Sequence, residues 1–142
     1  MGKVHDPVEC SILGITDKNG TFKEKRHFDA WGNIVKLTDG NNVALTKFIV
    51  LDRGYTGHEH LQGVNLIHMN GRLYDSMLHR FLMPDNFVQD PYNTQNYNRY
   101  AYVMHNPLMY VDFSGEYSEG NGTGNWLWGG AVLVASAIGS WA

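Results

Sequence analysis

The chain has 142 residues, of which 43% are hydrophobic, 13% aromatic and 18% charged, a composition that excludes an intrinsically disordered polymer. Fourteen acidic residues outnumber eleven basic ones and no basic block is present, so nucleic-acid binding is disfavoured. Cys10 is the only cysteine, which excludes an internal disulfide and a cysteine-based zinc site.

Residues 1–10 are predicted to be an atypical N-terminal leader. Asp6, Pro7 and Glu9 interrupt the apolar core that a secretory signal requires, so the sequence predicts no signal peptide. Turn signals then recur at short intervals, because Asp and Asn bond their own backbone and Gly adopts the positive φ that tight turns need. These signals lie at 17–20, 29–32, 39–42, 52–54 and 70–71.

Strand-length runs between these turns predict a mainly β fold of successive antiparallel hairpins. In one run, Phe22 and Phe28 share one parity while Lys23, Lys25 and His27 share the other, which indicates a strand with one covered face. The predicted strands are 11–16, 21–28, 33–38, 43–51, 66–69 and 72–75.

The pattern changes beyond residue 94. Aromatic and apolar side chains spaced three to four residues apart predict a short helix near 96–104. Thr94 is placed to cap its start, and Asn106 ends it because a residue before proline avoids the α region.

Residues 118–142 are predicted to be a Gly-rich linker followed by an apolar tail. The run 126–142 carries no charge, but it is shorter than the ~20 apolar residues that a membrane-spanning helix needs. Three interpretations stay open for this tail: packing beneath a β-sheet shell, contact with a membrane, or disorder.

Two short stretches have the form of a YD repeat, FDAWG at 28–32, with Phe in place of Tyr, and GRLYD at 71–75. A longer string, 65–115, is more specific and reads NLIHMNGRLYDSMLHRFLMPDNFVQDPYNTQNYNRYAYVMHNPLMYVDFSG. This order of turn, aromatic and arginine positions resembles the Rhs repeat-associated core domain at the end of large bacterial polymorphic toxins. The resemblance covers about 11–115 and is strongest from 55 onwards.

The resemblance implies YD-repeat-like hairpins over 11–54, the repeat-associated core over 55–117, and the start of a variable region after it. It implies a non-enzymatic module of a toxin-encapsulating shell that presents or anchors a C-terminal cargo. The expected partners are an upstream YD-repeat shell and a downstream toxin, with self-association through exposed sheet edges, in a bacterial secreted or cell-surface protein. Family-motif positions expected to be structural are Gly57, His58, Glu59, Gly71, Arg72, Tyr74, Asp75, Arg80, Phe81, Pro84, Asp85, Asn98, Arg99, Tyr100, Asn106, Pro107, Asp112 and Gly115.

A polar cluster lies at His58, Glu59 and His60, with His68 further along the chain. On a strand His58 and His60 would point to the same face, an arrangement that suits a metal ion. No third ligand follows at an established spacing, so a hydrogen-bonded structural cluster is predicted, with no metal and no cofactor.

Arg72, Arg80 and Arg99 each lie close to an aromatic residue in the sequence. Such pairs can stack on nucleic-acid bases. In a net-acidic, turn-rich sheet they indicate instead guanidinium groups that bridge Asp turns or cover aromatic rings. Ser76 and Ser114 lack a recognisable base nearby in sequence and are interpreted as turn formers.

The segment YVDFSGE resembles the junction at which relatives are thought to cut themselves. The mechanism that the resemblance implies is aspartyl autoproteolysis, in which two carboxylates share a proton. Asp112 matches the first acid and is the candidate catalytic residue, but Phe113 replaces Pro and Glu116 replaces Leu. The second acid is missing from its expected place, and Asp85 or Asp90 can supply it only through the fold. Self-cleavage near Glu116 is therefore kept as an alternative.

A third hypothesis is a binding module for cell-surface glycans. Eight Tyr and four Trp suggest it, because aromatic faces stack on sugars. Trp31 is the residue on which this hypothesis would be tested.

Overall fold

A computed structural model describes residues 2–5, 11–88 and 90–120, so most of the predicted leader and the tail from 121 onwards lie outside the described residues. The described chain is mainly β, as predicted, with two four-stranded antiparallel sheets and one two-stranded ribbon. None of its helical turns is long and apolar enough to cross a membrane.

The first sheet contains β1 (Gly2–His5), β2 (Ile12–Thr16), β3 (Phe22–Phe28) and β4 (Ile34–Asp39), in that order. The turns beside these strands share one chemistry. Asp17, Asp29 and Asp39 each use one carboxylate oxygen to accept backbone N–H groups from the residues two and four positions further on. The predicted turn signals at these places are confirmed.

The second sheet contains β5 (Glu59–Leu61), β6 (Leu66–Met69), β7 (Arg72–Asp75) and β8 (Arg80–Phe81). A ribbon of β9 (Tyr110–Val111) and β10 (Glu119–Gly120) follows. Strands of two or three residues are too short to show the alternation of apolar and polar side chains by which a strand is recognised in a sequence. Sequence patterns therefore predicted β6 and β7 and missed their neighbours.

The covered face of β3 carries charge. The even-numbered side chains face the covered side, as predicted. The fully buried ones among them are Glu24 and Arg26, whereas Phe22 is 39% exposed. The strand predicted over 43–51 is wrong, because only Ala44 forms an isolated bridge there. At its end, the N–H groups of Ile49 and Val50 instead donate to the buried Glu24, and the Leu51 carbonyl accepts from the buried Arg26.

The short helix predicted near 96–104 is instead two 3-10 turns, Thr94–Tyr97 and Val103–His105. Asn93, one residue before the predicted cap, accepts the capping N–H of the first turn. All three residues of the second turn have positive φ angles, from 42° to 60°, which a right-handed helix excludes. This left-handed turn follows Tyr102, whose side chain lies in the core.

The main core lies under the second sheet and consists of Tyr55, Ile67, Met69, Tyr74, Phe81, Tyr102 and Val103. The FDAWG turn between β3 and β4 packs against it. The Tyr55 hydroxyl donates to the carbonyl of Ala30 at 2.7 Å, and the Tyr74 hydroxyl donates to that of Trp31 at 2.8 Å. A repeat-like turn of the first sheet is thus fixed to the core of the second.

Candidate functional site

Asp112 organises a tight turn, residues 112–117, which we call the junction turn. Its side chain is 1% exposed, and one carboxylate oxygen accepts the N–H groups of Gly115 at 2.7 Å and Tyr117 at 3.3 Å. Gly115 has φ +75°, and a Cβ there would lie 1.9 Å from the carbonyl oxygen of Met69. Only glycine fits this position.

The junction turn is docked on the turn between β6 and β7 through three successive carbonyl groups. Asn70 Nδ2 donates to the carbonyl of Phe113 at 2.9 Å, and the Gly71 N–H donates to that of Ser114 at 2.9 Å. The Nε of Arg72 donates to the carbonyl of Gly115. The segment is therefore held by side chains and backbone that lie about 43 positions away in the chain.

The TGHE motif at 56–59 reaches the same turn. His58 Nε2 lies 3.0 Å from the carbonyl oxygen of Phe113, and its Nδ1 lies 2.7 Å from the Thr56 hydroxyl. A carbonyl only accepts hydrogen bonds, so Nε2 carries the proton and Nδ1 accepts from Thr56. Burial is the main reason that the pKa of His58 lies below its usual value.

His60 has a separate structural role. Its Nε2 accepts the backbone N–H of Tyr55 at 3.0 Å, and its ring packs beside Phe28 and Phe48. Burial, with the charge of Arg26 adding to it, lowers the pKa of His60 to about 3. His68 is exposed, and no group of three metal-ligating side chains occurs among the described residues.

Arg72 joins the junction turn to a second carboxylate. Its NH2 group lies 3.2 Å from Asp85 Oδ2 and 3.5 Å from Asp112 Oδ2. Its guanidinium also lies 3.7 Å from the centre of the Phe81 ring, and its NH1 donates to the carbonyl of Arg99. Arg72 thus bridges two Asp side chains and covers an aromatic ring.

Asp85, and not Asp90, therefore shares the Arg72 guanidinium with Asp112. Asp90 is exposed and accepts the N–H of Tyr92 in a turn of its own. Burial raises the pKa of Asp112 to about 6, although the N–H of Gly115 and the charge of Arg72 act against this shift. A buried carboxylate that titrates near neutrality can accept a proton from a reacting group.

Two cavities lie beside this ion-pair cluster. The larger has a volume of about 290 Å³, and its lining includes Arg72, Asp85 and Glu116. The smaller has a volume of about 20 Å³, enough for one water molecule, and its polar lining includes Asp85 and Arg99. Asp85 therefore lines both cavities.

Trp31, the residue on which the glycan hypothesis depends, packs within the protein. Its ring stacks on His79 with the ring centres 4.5 Å apart and the planes 12° apart. One aromatic face is therefore already covered, and the side chain is half-buried against the core.

No family model matches the chain. The tRNA nuclease WapA of Bacillus subtilis (strain 168) is 27% identical over 124 residues, which cover 87% of this chain and 5% of that protein. The tRNA3(Ser)-specific nuclease WapA of Bacillus spizizenii is 26% identical over 124 residues, with the same shares covered. The chain thus spans only about 5% of the length of these relatives.

A solved structure of TcdB2-TccC3 without its hypervariable C-terminal region shares the fold. The TM-score is 0.63 at 21% sequence identity, over 80% of this chain and 5% of that chain. The fold is Rhs-related. This confirms the fold that the resemblance of 65–115 implied.

Arg72→Met is expected to lower the free energy of unfolding by about 3–5 kcal/mol, because it leaves Asp85 and Asp112 buried without their cation. Urea denaturation followed by circular dichroism measures the change. Arg80→Met is the matched control, since the exposed Arg80 guanidinium lies 5.3 Å from the Tyr100 ring and contributes about 0.5–1 kcal/mol at most. Equal losses in the two variants would contradict the assignment.

The free energy of unfolding is expected to fall on acidification because of His60. The pKa of His60 is about 3 in the folded chain, against 6.5 for an unperturbed histidine. Between these two values the unfolded chain binds the proton more readily than the folded chain does. The loss approaches about 1.4 kcal/mol per pH unit. Asp112 opposes it, because its raised pKa makes the folded chain bind a proton first between about pH 6 and pH 4.

Urea denaturation at several pH values between neutrality and about pH 4 separates these two effects. His60→Gln should make the fall with acidification shallower, and Asp112→Asn should make it steeper. His68→Gln replaces an exposed histidine and should leave the slope unchanged. A wild-type slope no steeper than that of His60→Gln would contradict the expectation.

Proposed function

We propose that the chain is a non-enzymatic structural module, the C-terminal part of an Rhs shell that anchors the segment following the junction turn. The docking of that turn carries the proposal. His58, Asn70, Gly71 and Arg72 hold three successive carbonyl groups, so the chain leaves the sheet at a fixed point. Pairing of β10 with β9 extends this anchorage to residue 120.

The similar proteins support a role beside a variable segment. TcdB2-TccC3 has a hypervariable C-terminal region. We propose that this chain is a fixed module that precedes a region of that kind. The WapA proteins are nucleases, but the matched stretch is 5% of their length, so the proposal does not extend nuclease activity to this chain.

The proposed partners are upstream YD-repeat strands and a downstream toxin, in a protein that is secreted or at the bacterial cell surface. The start of the edge strand β4 supports contact with further strands, because Ile34 and Val35 are 43% and 68% exposed, whereas Thr38 further along is already bridged by Ala44. An apolar edge of this kind is a template for pairing with another chain, which in the isolated module would be a second copy.

Asn70→Ala is expected to release the junction turn without unfolding the sheets. Loss of the bond to the Phe113 carbonyl should speed amide exchange across 112–120 by about fivefold to tenfold, measured by hydrogen exchange with mass spectrometry. Asn42→Ala is the matched control, since Asn42 also has a positive φ and also forms a side-chain hydrogen bond, but in a different turn.

The control should leave exchange across 112–120 unchanged. Rapid exchange of this segment already in the wild-type chain would show that the turn is not an anchor, and would remove the observation on which the proposal depends.

Self-cleavage is a second candidate function, because Arg72 holds both Asp85 and Asp112 through one nitrogen. In this candidate the two carboxylates share the acid and base roles and hydrolyse the chain near Glu116, which lines the 290 Å³ cavity together with Asp85.

The intact mass of the purified chain after prolonged incubation tests this candidate. Cleavage near Glu116 is expected in the wild-type chain and in the control Asp90→Asn, and it should be lost in Asp112→Ala and Asp85→Asn. A single full-length species in all four proteins would exclude cleavage by the carboxylate pair and leave the structural module as the function.

A further inference from the structure

Two asparagine residues followed by glycine lie in tight turns of the described chain. Asn19 and Gly20 lie between β2 and β3, and Asn70 and Gly71 lie between β6 and β7. An asparagine in this position is chemically labile, because the following glycine has no side chain to hinder attack of its nitrogen on the asparagine amide. Both asparagines are exposed, so water reaches both. The two pairs thus carry the same reactive groups in different surroundings.

The junction turn holds both reacting groups of the second pair. The amide that would leave, Asn70 Nδ2, donates to the Phe113 carbonyl at 2.9 Å. The nitrogen that would attack, the Gly71 N–H, donates to the Ser114 carbonyl, also at 2.9 Å. The turn covers this glycine as well, since a Cβ on Gly71 would lie 2.8 Å from Glu116 Cγ. Reaction between the two groups therefore requires both hydrogen bonds to break.

The first pair lacks such a cover. A Cβ on Gly20 would meet nothing within 4 Å. The Gly20 N–H lies 3.1 Å from the Asp17 carbonyl oxygen, a bond within its own turn. Asn19 is therefore an internal reference for the reactivity of an asparagine that no distant segment covers.

We propose that Asn70 is a deamidation site that the docked junction turn protects, and that its conversion makes release of the turn irreversible. Once the turn leaves, the Gly71 nitrogen attacks Asn70 Cγ. The bond between Cγ and Nδ2 breaks, and ammonia departs with the proton of the Gly71 N–H. Water then opens the cyclic imide and leaves aspartate or isoaspartate at position 70. This inference deepens the proposed function, because it rests on the docked turn.

Either product prevents the turn from docking again. A carboxylate has no N–H to donate, and its charge repels the Phe113 carbonyl oxygen that it would face. Isoaspartate also adds one carbon atom to the backbone of a two-residue turn whose flanking residues, Met69 and Arg72, are paired. That added atom would displace Arg72, whose guanidinium holds Asp85 and Asp112. The modification would thus weaken the site on both sides of the turn.

The experiment follows conversion at Asn70 and Asn19 separately, by peptide mapping with mass spectrometry after incubation of the full chain near neutral pH. In the folded wild type, Asn70 should convert about tenfold to a hundredfold more slowly than Asn19, because two hydrogen bonds must first break. In concentrated urea the two rates should be similar. Equal rates in a chain that circular dichroism shows to be folded would overturn the proposal.

Gly115→Ala tests the effect of release, since a Cβ there would collide with the Met69 carbonyl oxygen and displace the turn. Conversion at Asn70 should then approach the rate at Asn19. A folded Gly115→Ala chain in which Asn70 stays as slow as in the wild type would overturn the proposal.

Asp112→Asn is a milder variant that keeps the size of the side chain but weakens the acceptor of the Gly115 N–H. It should speed conversion at Asn70 several-fold. Asp39→Asn is the matched control, because Asp39 closes a different turn by accepting N–H groups in the same way. Equal acceleration at Asn70 in both variants would contradict protection by the junction turn.

Asn70→Asp tests irreversibility. Amide exchange across 112–120 should be at least as fast in this variant as in Asn70→Ala, and slow exchange would show that the turn docks on a carboxylate, contrary to the proposal. Rapid exchange of 112–120 in the wild type would instead remove the docking, and the proposed shell module with it. Slow exchange in the wild type combined with equal conversion at Asn70 and Asn19 would remove this inference alone.

Discussion

A buried guanidinium in each four-stranded sheet holds irregular segments of the chain in place. Arg26 pairs with Glu24, bonds to the carbonyl groups of Leu51 and Arg53, and lies 3.7 Å from the centre of the Phe48 ring. Arg72 repeats this pattern in the second sheet. A buried charge without its partners costs several kcal/mol. The loops that supply partners to these two arginines are therefore as necessary to the fold as the strands.

The consequence is a domain in which long stretches without regular structure are nevertheless fixed. The end of segment 43–51 is held without strand pairing, because Glu24 and Arg26 bond backbone groups of its last three residues from the interior. The left-handed turn at Val103–His105 has a conformational cost of about 1–3 kcal/mol per residue. The adjoining burial of Tyr102 and Val103 in the core offsets that cost.

The junction turn is a second irregular segment that buried polar groups hold in place. The Phe113 carbonyl accepts from both His58 and Asn70, and the carboxylate that builds the turn also accepts from the Ser114 hydroxyl. The anchorage that we propose for the following segment depends on these bonds.

The sequence by itself determined the turns, because an Asp that bonds N–H groups two and four residues further on needs only its neighbours. It also predicted most of the long strands, and the resemblance of 65–115 implied the Rhs-related fold. It did not determine which charges are buried or that Asp85 lies on the same guanidinium as Asp112. His58 and Phe113 are 55 positions apart, so only the packed sheet brings them together. Local hydrogen bonding is encoded in adjacent residues, whereas the junction turn's chemistry depends on contacts that exist only after the core has formed.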